Sequence, residues 1–351
     1  MSRILILGAG VMASAFSIPC SDKGHEVTII GTHLEDEFID KINQNSNLHP
    51  VFLSQIPKNV KYLKFEKFID EIKKKIDLIV LGVNSKGLDW ASNAISKFPN
   101  NQIPILMLTK GLSVSQNKYE LLVDKLKSLL EIKGFKNANI SIVGGPCLAG
   151  GLANRVHSSV IIANSNLDTA RSLKSLLSTD YYHVSITNDV IGVEVCSAIK
   201  NIYSMVIGAC EGLCSSQIDK KYKEINYLNT AASVIRQSIY EMQIFTKFLN
   251  GKSETVIGLA GLGDLYVSSA GGRNSKMGKF IGHGMTFEEV KNQKMKNITI
   301  EGADLAFEIK DKVKKDFNNH QLPLMLSMIN TICDNQKLNI EWDNFKENKN
   351  E

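Results

Sequence analysis

The chain of 351 residues is longer than a single hydrophobic core usually supports, so two domains are expected. Apolar residues make up 43% and charged residues 22%, a globular composition, and a formal charge of +5 suits small anions and gives no sign of a nucleic-acid partner. Cys20, Cys147, Cys196, Cys210, Cys214 and Cys333 show no C-x-x-C spacing, which predicts reduced thiols, no metal site and a cytoplasmic location.

Arg3 to Leu7 is a short apolar run fit for a buried parallel strand. Gly8-Ala9-Gly10-Val11-Met12-Ala13 follows and opens a helix to about Lys23, which Pro19 should kink or shorten. Residues Ile4 to Cys20 carry no charge and end in Ser17-Ile18-Pro19-Cys20, but a single basic residue before them and Pro19 beside the would-be cleavage point argue against a signal peptide. Gly24 ends the helix, and Glu26 to Ile30 reads as a second strand, completing strand, glycine turn, helix and strand in about thirty residues.

The alternation continues. A helix over 65–75 precedes a strand at Ile76 to Val83, and Ile103 to Leu108 is a further strand ending at Thr109-Lys110-Gly111. Residues 118–132 have helical spacing, and Ile140 to Val143 leads into Gly144-Gly145-Pro146. Strands at 160–162 and 182–186 flank a helix at 168–178, so the first part predicts an α/β fold with a Rossmann-type doubly wound parallel sheet.

After about residue 188 the pattern becomes helical, over 190–212, 229–249, 254–260, 286–292, 302–314 and 324–335. The expected division is a dinucleotide-binding domain at 1–188, a helical substrate-binding domain at 189–340 and a polar tail at 341–351. Between Gly192 and Cys210 the only charges are Glu194 and Lys200, which predicts a buried core helix and no membrane insertion.

Gly8, Gly10 and Ala13 fit the dinucleotide fingerprint: Gly8 for the tight turn, Gly10 for close approach of a pyrophosphate, and Ala13 for helix–strand packing. A strict NAD binder has an acid at the end of the second strand, where this chain has Gly31-Thr32-His33 and no acid before Glu35. On that reading charge does not exclude a 2′-phosphate, the absence of an Arg does not require one, and both NADH and NADPH are expected to support turnover. Lys200 in an apolar helix has two readings, a snorkelling stem or a proton donor in a cleft steadied by a carboxylate. Glycines around Asp264 and before Arg273 predict loops, one presenting a carboxylate and one giving a guanidinium freedom to clamp an anion.

With these residues in view, the chain resembles the soluble, bacterial-type NAD(P)-dependent glycerol-3-phosphate dehydrogenase family. The match runs in order through Gly8-Ala9-Gly10, Thr109-Lys110-Gly111, Gly145-Pro146, Ile199-Lys200-Asn201, Gly261-Leu262-Gly263-Asp264-Leu265, Gly272-Arg273-Asn274 and Glu301-Gly302. The resemblance implies reversible reduction of dihydroxyacetone phosphate to sn-glycerol 3-phosphate with NAD or NADP, feeding glycerophospholipid synthesis, by a homodimer. It implies Lys200 as proton donor, Asp264 as its partner, and Lys110 contacting substrate near the nicotinamide. Gly145, Asn201, Gly272, Arg273 and Asn274 would complete the substrate site, with the last two on the phosphate. Val11, Met12, Thr32, Ala149, Thr299 and Glu301 would join Gly8, Gly10, Ala13, Lys110 and Arg273 around the cofactor.

The chain departs from the family pattern in places. Leu148 stands where the family usually has an aromatic, and Gly151 where it usually has Glu, so 150–151 is expected to be loose. Residues 215–228, with Lys220, Lys221 and Lys223, read as a surface insertion. Two rival functions are a ketopantoate- or hydroxyisobutyrate-type dehydrogenase, which lacks the Gly-Arg-Asn segment at the matching place, and a non-catalytic dinucleotide sensor, against which Lys200, Lys110 and Asp264 speak.

Overall fold

A computed structural model describes residues 1–45, 47–214 and 227–345. The insertion expected at 215–228 falls almost wholly outside the described residues, as does the end of the polar tail. The chain divides into two compact units: Met1–Lys110 with Leu121–Val190, and Gly111–Glu120 with Ile191–Glu351.

The first unit is built on strands β1 (Arg3–Leu7), β2 (Glu26–Ile30), β3 (Val60–Leu63), β4 (Leu78–Leu81) and β5 (Ile105–Met107). The strands β6 (Leu112–Ser115) and β7 (Lys118–Leu121) form a separate hairpin, and β8 (Ile140–Gly144), β9 (Ser158–Ala163) and β10 (Tyr182–Thr187) complete the main sheet. The order across that sheet is β10-β9-β8-β5-β4-β1-β2-β3. Ile4, Leu5, Ile6 and Leu7 are fully buried, as a strand with covered faces requires. Every pairing is parallel except β8 with β9, so the sheet is mixed where an all-parallel one is expected.

Helices α1 (Val11–Asp22), α2 (Asp36–Gln44), α3 (Phe68–Glu71), α4 (Leu88–Ile95), α5 (Leu122–Ile132), α6 (Ala149–Ala153) and α7 (Leu167–Leu177) connect the strands. α1 runs through Pro19 to Asp22 and is not shortened by it. The helix expected over 65–75 is a 3₁₀ turn, Phe65–Lys67, followed by the single turn α3. The helix expected from residue 118 begins at Leu122, because Gln116 and Asn117 both take positive φ and turn the chain into the β6–β7 hairpin. That hairpin packs within the second unit: the Val114 amide donates to Glu308, and the Tyr119 ring meets Phe245 edge-on.

The second unit is helical: α8 (Val190–Cys214), α9 (Leu228–Phe248), α10 (Ser253–Val256), α11 (Asp264–Gly271), α12 (Arg273–Gly282), α13 (Phe287–Gln293), α14 (Glu301–Asp316) and α15 (Pro323–Cys333). α8 is long and apolar enough to cross a membrane, yet 83% of its most apolar window is buried in the protein, so it is a core helix. The glycine-rich stretch expected as loops is regular. A π-helix, Leu259–Gly263, runs directly into α11, and only Gly272 separates α11 from α12. Two of its glycines serve close packing rather than freedom: a Cβ on Gly261 would lie 1.9 Å from the Val256 carbonyl oxygen and one on Gly272 2.5 Å from the Ser268 carbonyl oxygen, whereas one on Gly271 would meet nothing within 4 Å. The same close packing holds where α12 crosses α8, since a Cβ on Gly278 would lie 1.8 Å from the Met205 carbonyl oxygen.

Candidate active site

In the first unit the site-forming residues gather beyond the carboxyl ends of the sheet strands, where open α/β sheets bind ligands. Gly8 has φ +99°, a conformation that only glycine adopts cheaply, and turns the chain out of β1. Gly10 is the N-cap of α1, with no side-chain cap and no acid in the first turn, so the helix presents open amides and partial positive charge. Ala13 is buried against Gly82 after β4, where a Cβ on Gly82 would lie 2.4 Å from that of Ala13. Val11 is exposed and Met12 half-buried beside this opening. A helix end with no side-chain cap, following a glycine turn, fits a dinucleotide pyrophosphate.

Other predicted residues stand at neighbouring strand ends. Thr32 follows β2 and is half-buried. Lys110 follows β5 and is half-buried, and the preceding Thr109 hydroxyl donates to the Val83 carbonyl at 2.7 Å. Gly145 leaves β8 with φ +122°, and Ala149 starts α6. The segment expected to be loose at Gly150-Gly151 is helical, held by Leu152 and Ala153 buried in the core and by the Asn154 side chain donating to the Gly150 carbonyl at 2.8 Å.

In the second unit, Lys200 does not snorkel. Its side chain is 9% exposed and that of Asp264 4%, and the two form a direct ion pair. The Lys200 Nζ also donates to the Ser268 hydroxyl at 2.8 Å. The π-helix delivers Asp264 as the first residue of α11, and Ser268 stands one turn later on the same face. In this nearly dry place the attraction between the ammonium and the carboxylate offsets part of the cost of burying each. Ser268 is a site residue that the sequence reading missed; its i+4 spacing from Asp264 on a helix was the available signal.

Asn201, the next residue of α8, joins a second cluster. The Asn274 amide donates to Asn201 Oδ1 at 3.2 Å and to Glu301 Oε2 at 3.5 Å, while its carbonyl accepts from the Gly302 amide at 2.9 Å. Asn274 therefore ties the start of α12 to α8 and α14. Arg273, the first residue of α12, forms an ion pair with Glu301, the first of α14, and its side chain is 57% exposed. Gly272 caps α12 with no side-chain acceptor and no acid in the first turn, so a guanidinium and a positive helix end stand side by side. Thr299 is exposed just before α14. Glu35, passed over in the sequence, is the second residue missed: its carboxylate accepts from the Ala9 amide at 3.0 Å and the Thr32 amide at 2.8 Å.

A Rossmann-type unit with an open pyrophosphate cradle, and a helical unit with a buried Lys–Asp pair and an exposed arginine, define a nicotinamide-dinucleotide dehydrogenase. The family model described as NAD-dependent glycerol-3-phosphate dehydrogenase N-terminus matches residues 3–170, and the C-terminus model of the same name matches 189–341. The chain belongs to the NAD-dependent glycerol-3-phosphate dehydrogenase family. An NADP(+)-dependent glycerol-3-phosphate dehydrogenase of Archaeoglobus fulgidus is 28% identical, over 89% of this chain and 91% of the relative. A glycerol-3-phosphate dehydrogenase [NAD(P)+] of Shouchella clausii is 27% identical, over 90% and 88%. The fold is that of the glycerol-3-phosphate dehydrogenases of Plasmodium falciparum (TM-score 0.80, 23% identity, 99% and 96% covered) and Coxiella burnetii (TM-score 0.78, 23% identity, 96% of both).

Proposed function

We propose that this protein interconverts dihydroxyacetone phosphate and sn-glycerol 3-phosphate, and that it works in the cytoplasm as a homodimer. In the reducing direction it supplies the backbone of glycerophospholipids. The observation that carries the reading is the buried Lys200–Asp264 pair with Ser268, in a unit that also sets Arg273 at a bare helix end.

When bound, the cofactor, NAD or NADP, supplies a hydride to the carbonyl carbon. Lys200 donates its proton to the carbonyl oxygen as that oxygen gains charge, and in the reverse direction takes it from the hydroxyl. Asp264 keeps the ammonium charged and, with Ser268, fixes where Nζ points. Arg273 holds the phosphate by a charge-assisted fork, exchanging Glu301 for the phosphate oxygens or sharing itself between them. Asn201, beside Lys200 on α8, orients the substrate, and the binding energy at the phosphate positions the ketone.

The test is a two-by-two comparison of substrate and enzyme. Wild type should turn over dihydroxyacetone phosphate far better than unphosphorylated dihydroxyacetone. Arg273→Ala should lower kcat/KM for the phosphorylated substrate by roughly 100-fold, in line with losing a charged hydrogen-bond partner, and change the poor activity on dihydroxyacetone little. Equal losses on both substrates would remove Arg273 from the phosphate, and no preference for the phosphate would overturn the substrate assignment.

A further inference from the structure

The end of β2 carries glycine where a strict NAD binder carries an acid. The structure explains why. A Cβ on Gly31 would lie 2.4 Å from Ile39 Cδ1 and 3.3 Å from Glu35 Cβ, so the glycine lets the start of α2 fold down onto the strand end. The turn closes through the Glu35 amide, which donates to the Thr32 carbonyl at 3.1 Å. It sends the Glu35 side chain back across β2, where Oε2 accepts from Thr32 and from Ala9, the residue between the two fingerprint glycines. A carboxylate thus reaches the junction of the glycine turn and the second strand from four residues further along the chain.

The surroundings of that carboxylate favour a diol over a phosphate. Oε2 uses both amides, while Oε1 carries no hydrogen bond to a described residue and Glu35 is half-buried. From Gly31 to Asp40 the charged residues are Glu35, Asp36, Glu37 and Asp40, with no lysine or arginine, and His33 is exposed. The nearby Lys64 is paired with Asp40 at 2.8 Å.

We propose that Glu35 is the carboxylate that recognises the adenosine ribose of the cofactor, and that it makes the site prefer a dinucleotide with a free 2′-hydroxyl over one with a 2′-phosphate. The proposal rests on the dehydrogenase reading and adds a cofactor preference to it. Oε1 accepts from the ribose hydroxyl, while a 2′-phosphate brings negative charge against a carboxylate held in place by two amides. NADPH then supports turnover only at higher concentration than NADH.

The test is direct binding of NADH and of NADPH to the full-length protein without substrate, followed by cofactor fluorescence. Wild type should bind NADH about tenfold or more tightly than NADPH, the consequence of placing like charges together. Glu35→Gln keeps an acceptor for the two amides and removes the charge, so NADPH should gain affinity and the ratio should fall towards one. Adenosine 2′,5′-bisphosphate and 5′-AMP as competitors repeat the comparison on wild type alone, with 5′-AMP expected to bind more tightly, so the outcome does not depend on how the variant folds. Equal wild-type affinities, tighter NADPH, or a ratio unmoved by Glu35→Gln overturns the proposal and leaves the dehydrogenase reading intact. Binding of neither dinucleotide overturns both.

Discussion

The proposed cofactor cradle of the first unit and the polar cluster of the second are built from opposite materials. The cradle is mostly backbone: Gly8 at positive φ, an uncapped α1, and Ala13 pressed on Gly82, with Glu35 the one carboxylate that reaches it. The polar site is side chain: Lys200, Asp264 and Ser268 meet from α8 and α11, and Asn274 ties Asn201 to the start of α14. A backbone site depends on local spacing and tolerates any residue that leaves the amides clear. A side-chain site depends on how helices cross and fails when a single group is lost. Mutations should therefore separate the two regions.

A large effect is expected at Asp264. Asp264→Asn removes the counter-charge of a buried ammonium, and kcat should fall by roughly 100-fold or more, within the range for a positioned acid. The alkaline limb of the kcat profile should move to lower pH, because the lysine then loses its proton more easily. A fall in kcat with an unmoved profile would make Asp264 structural.

Two identical substitutions sharpen the comparison in stability. Gly278→Ala puts a methyl group on the Met205 carbonyl where α12 crosses α8, and should cost about 3 kcal/mol or more in urea unfolding. Gly150→Ala in α6 meets nothing within 4 Å and should stabilise by about 0.5–1 kcal/mol, through helix propensity and a less flexible unfolded chain. A harmless Gly278→Ala would mean that the helix crossing is not as tight as described.

A smaller effect concerns Glu241, fully buried in α9. Burial pushes its carboxyl up from 4.5 to about 7, against hydrogen bonds from the Leu324 and Met325 amides, Gln237 and Tyr203. Because the folded value lies above the unfolded one, its contribution to stability is fully present below pH about 4.5 and is lost as pH rises through about 7. The melting temperature of wild type relative to Glu241→Gln should therefore decline between pH 5 and 8, and parallel profiles would contradict it.

How far each region was legible follows from the same contrast. The strand, glycine turn, helix and second strand of the cradle could be read because each constraint lies within about thirty residues. Strand β3 escaped because it is four residues long at the sheet edge, with Lys61 pointing outward. The β6–β7 hairpin escaped because Gln116 and Asn117 turn it without a glycine. Residues 261–274 were read as loops because their glycines look like flexibility, whereas the stretch is helical on both sides of Gly272, and Gly261 and Gly272 lie hard against neighbouring backbone. From its own residues Lys200 was ambiguous between snorkelling and proton transfer; only the burial of Asp264 and the Ser268 contact separates the two. Glu35 was visible but placed too late in the chain to resemble the usual acid, and only the Gly31 turn shows where it reaches.

The most direct test of this division between a backbone cradle and a side-chain site is Lys200→Ala measured twice, once for turnover of dihydroxyacetone phosphate and once for NADH affinity. The account predicts a loss in kcat of roughly 100- to 10,000-fold, the contribution of a positioned proton donor, with the Kd for NADH unchanged within about threefold. Retention of more than about a tenth of the wild-type rate, far above what loss of such a donor leaves, would contradict the role given to Lys200, and a parallel loss of NADH affinity would contradict the independence of the cradle.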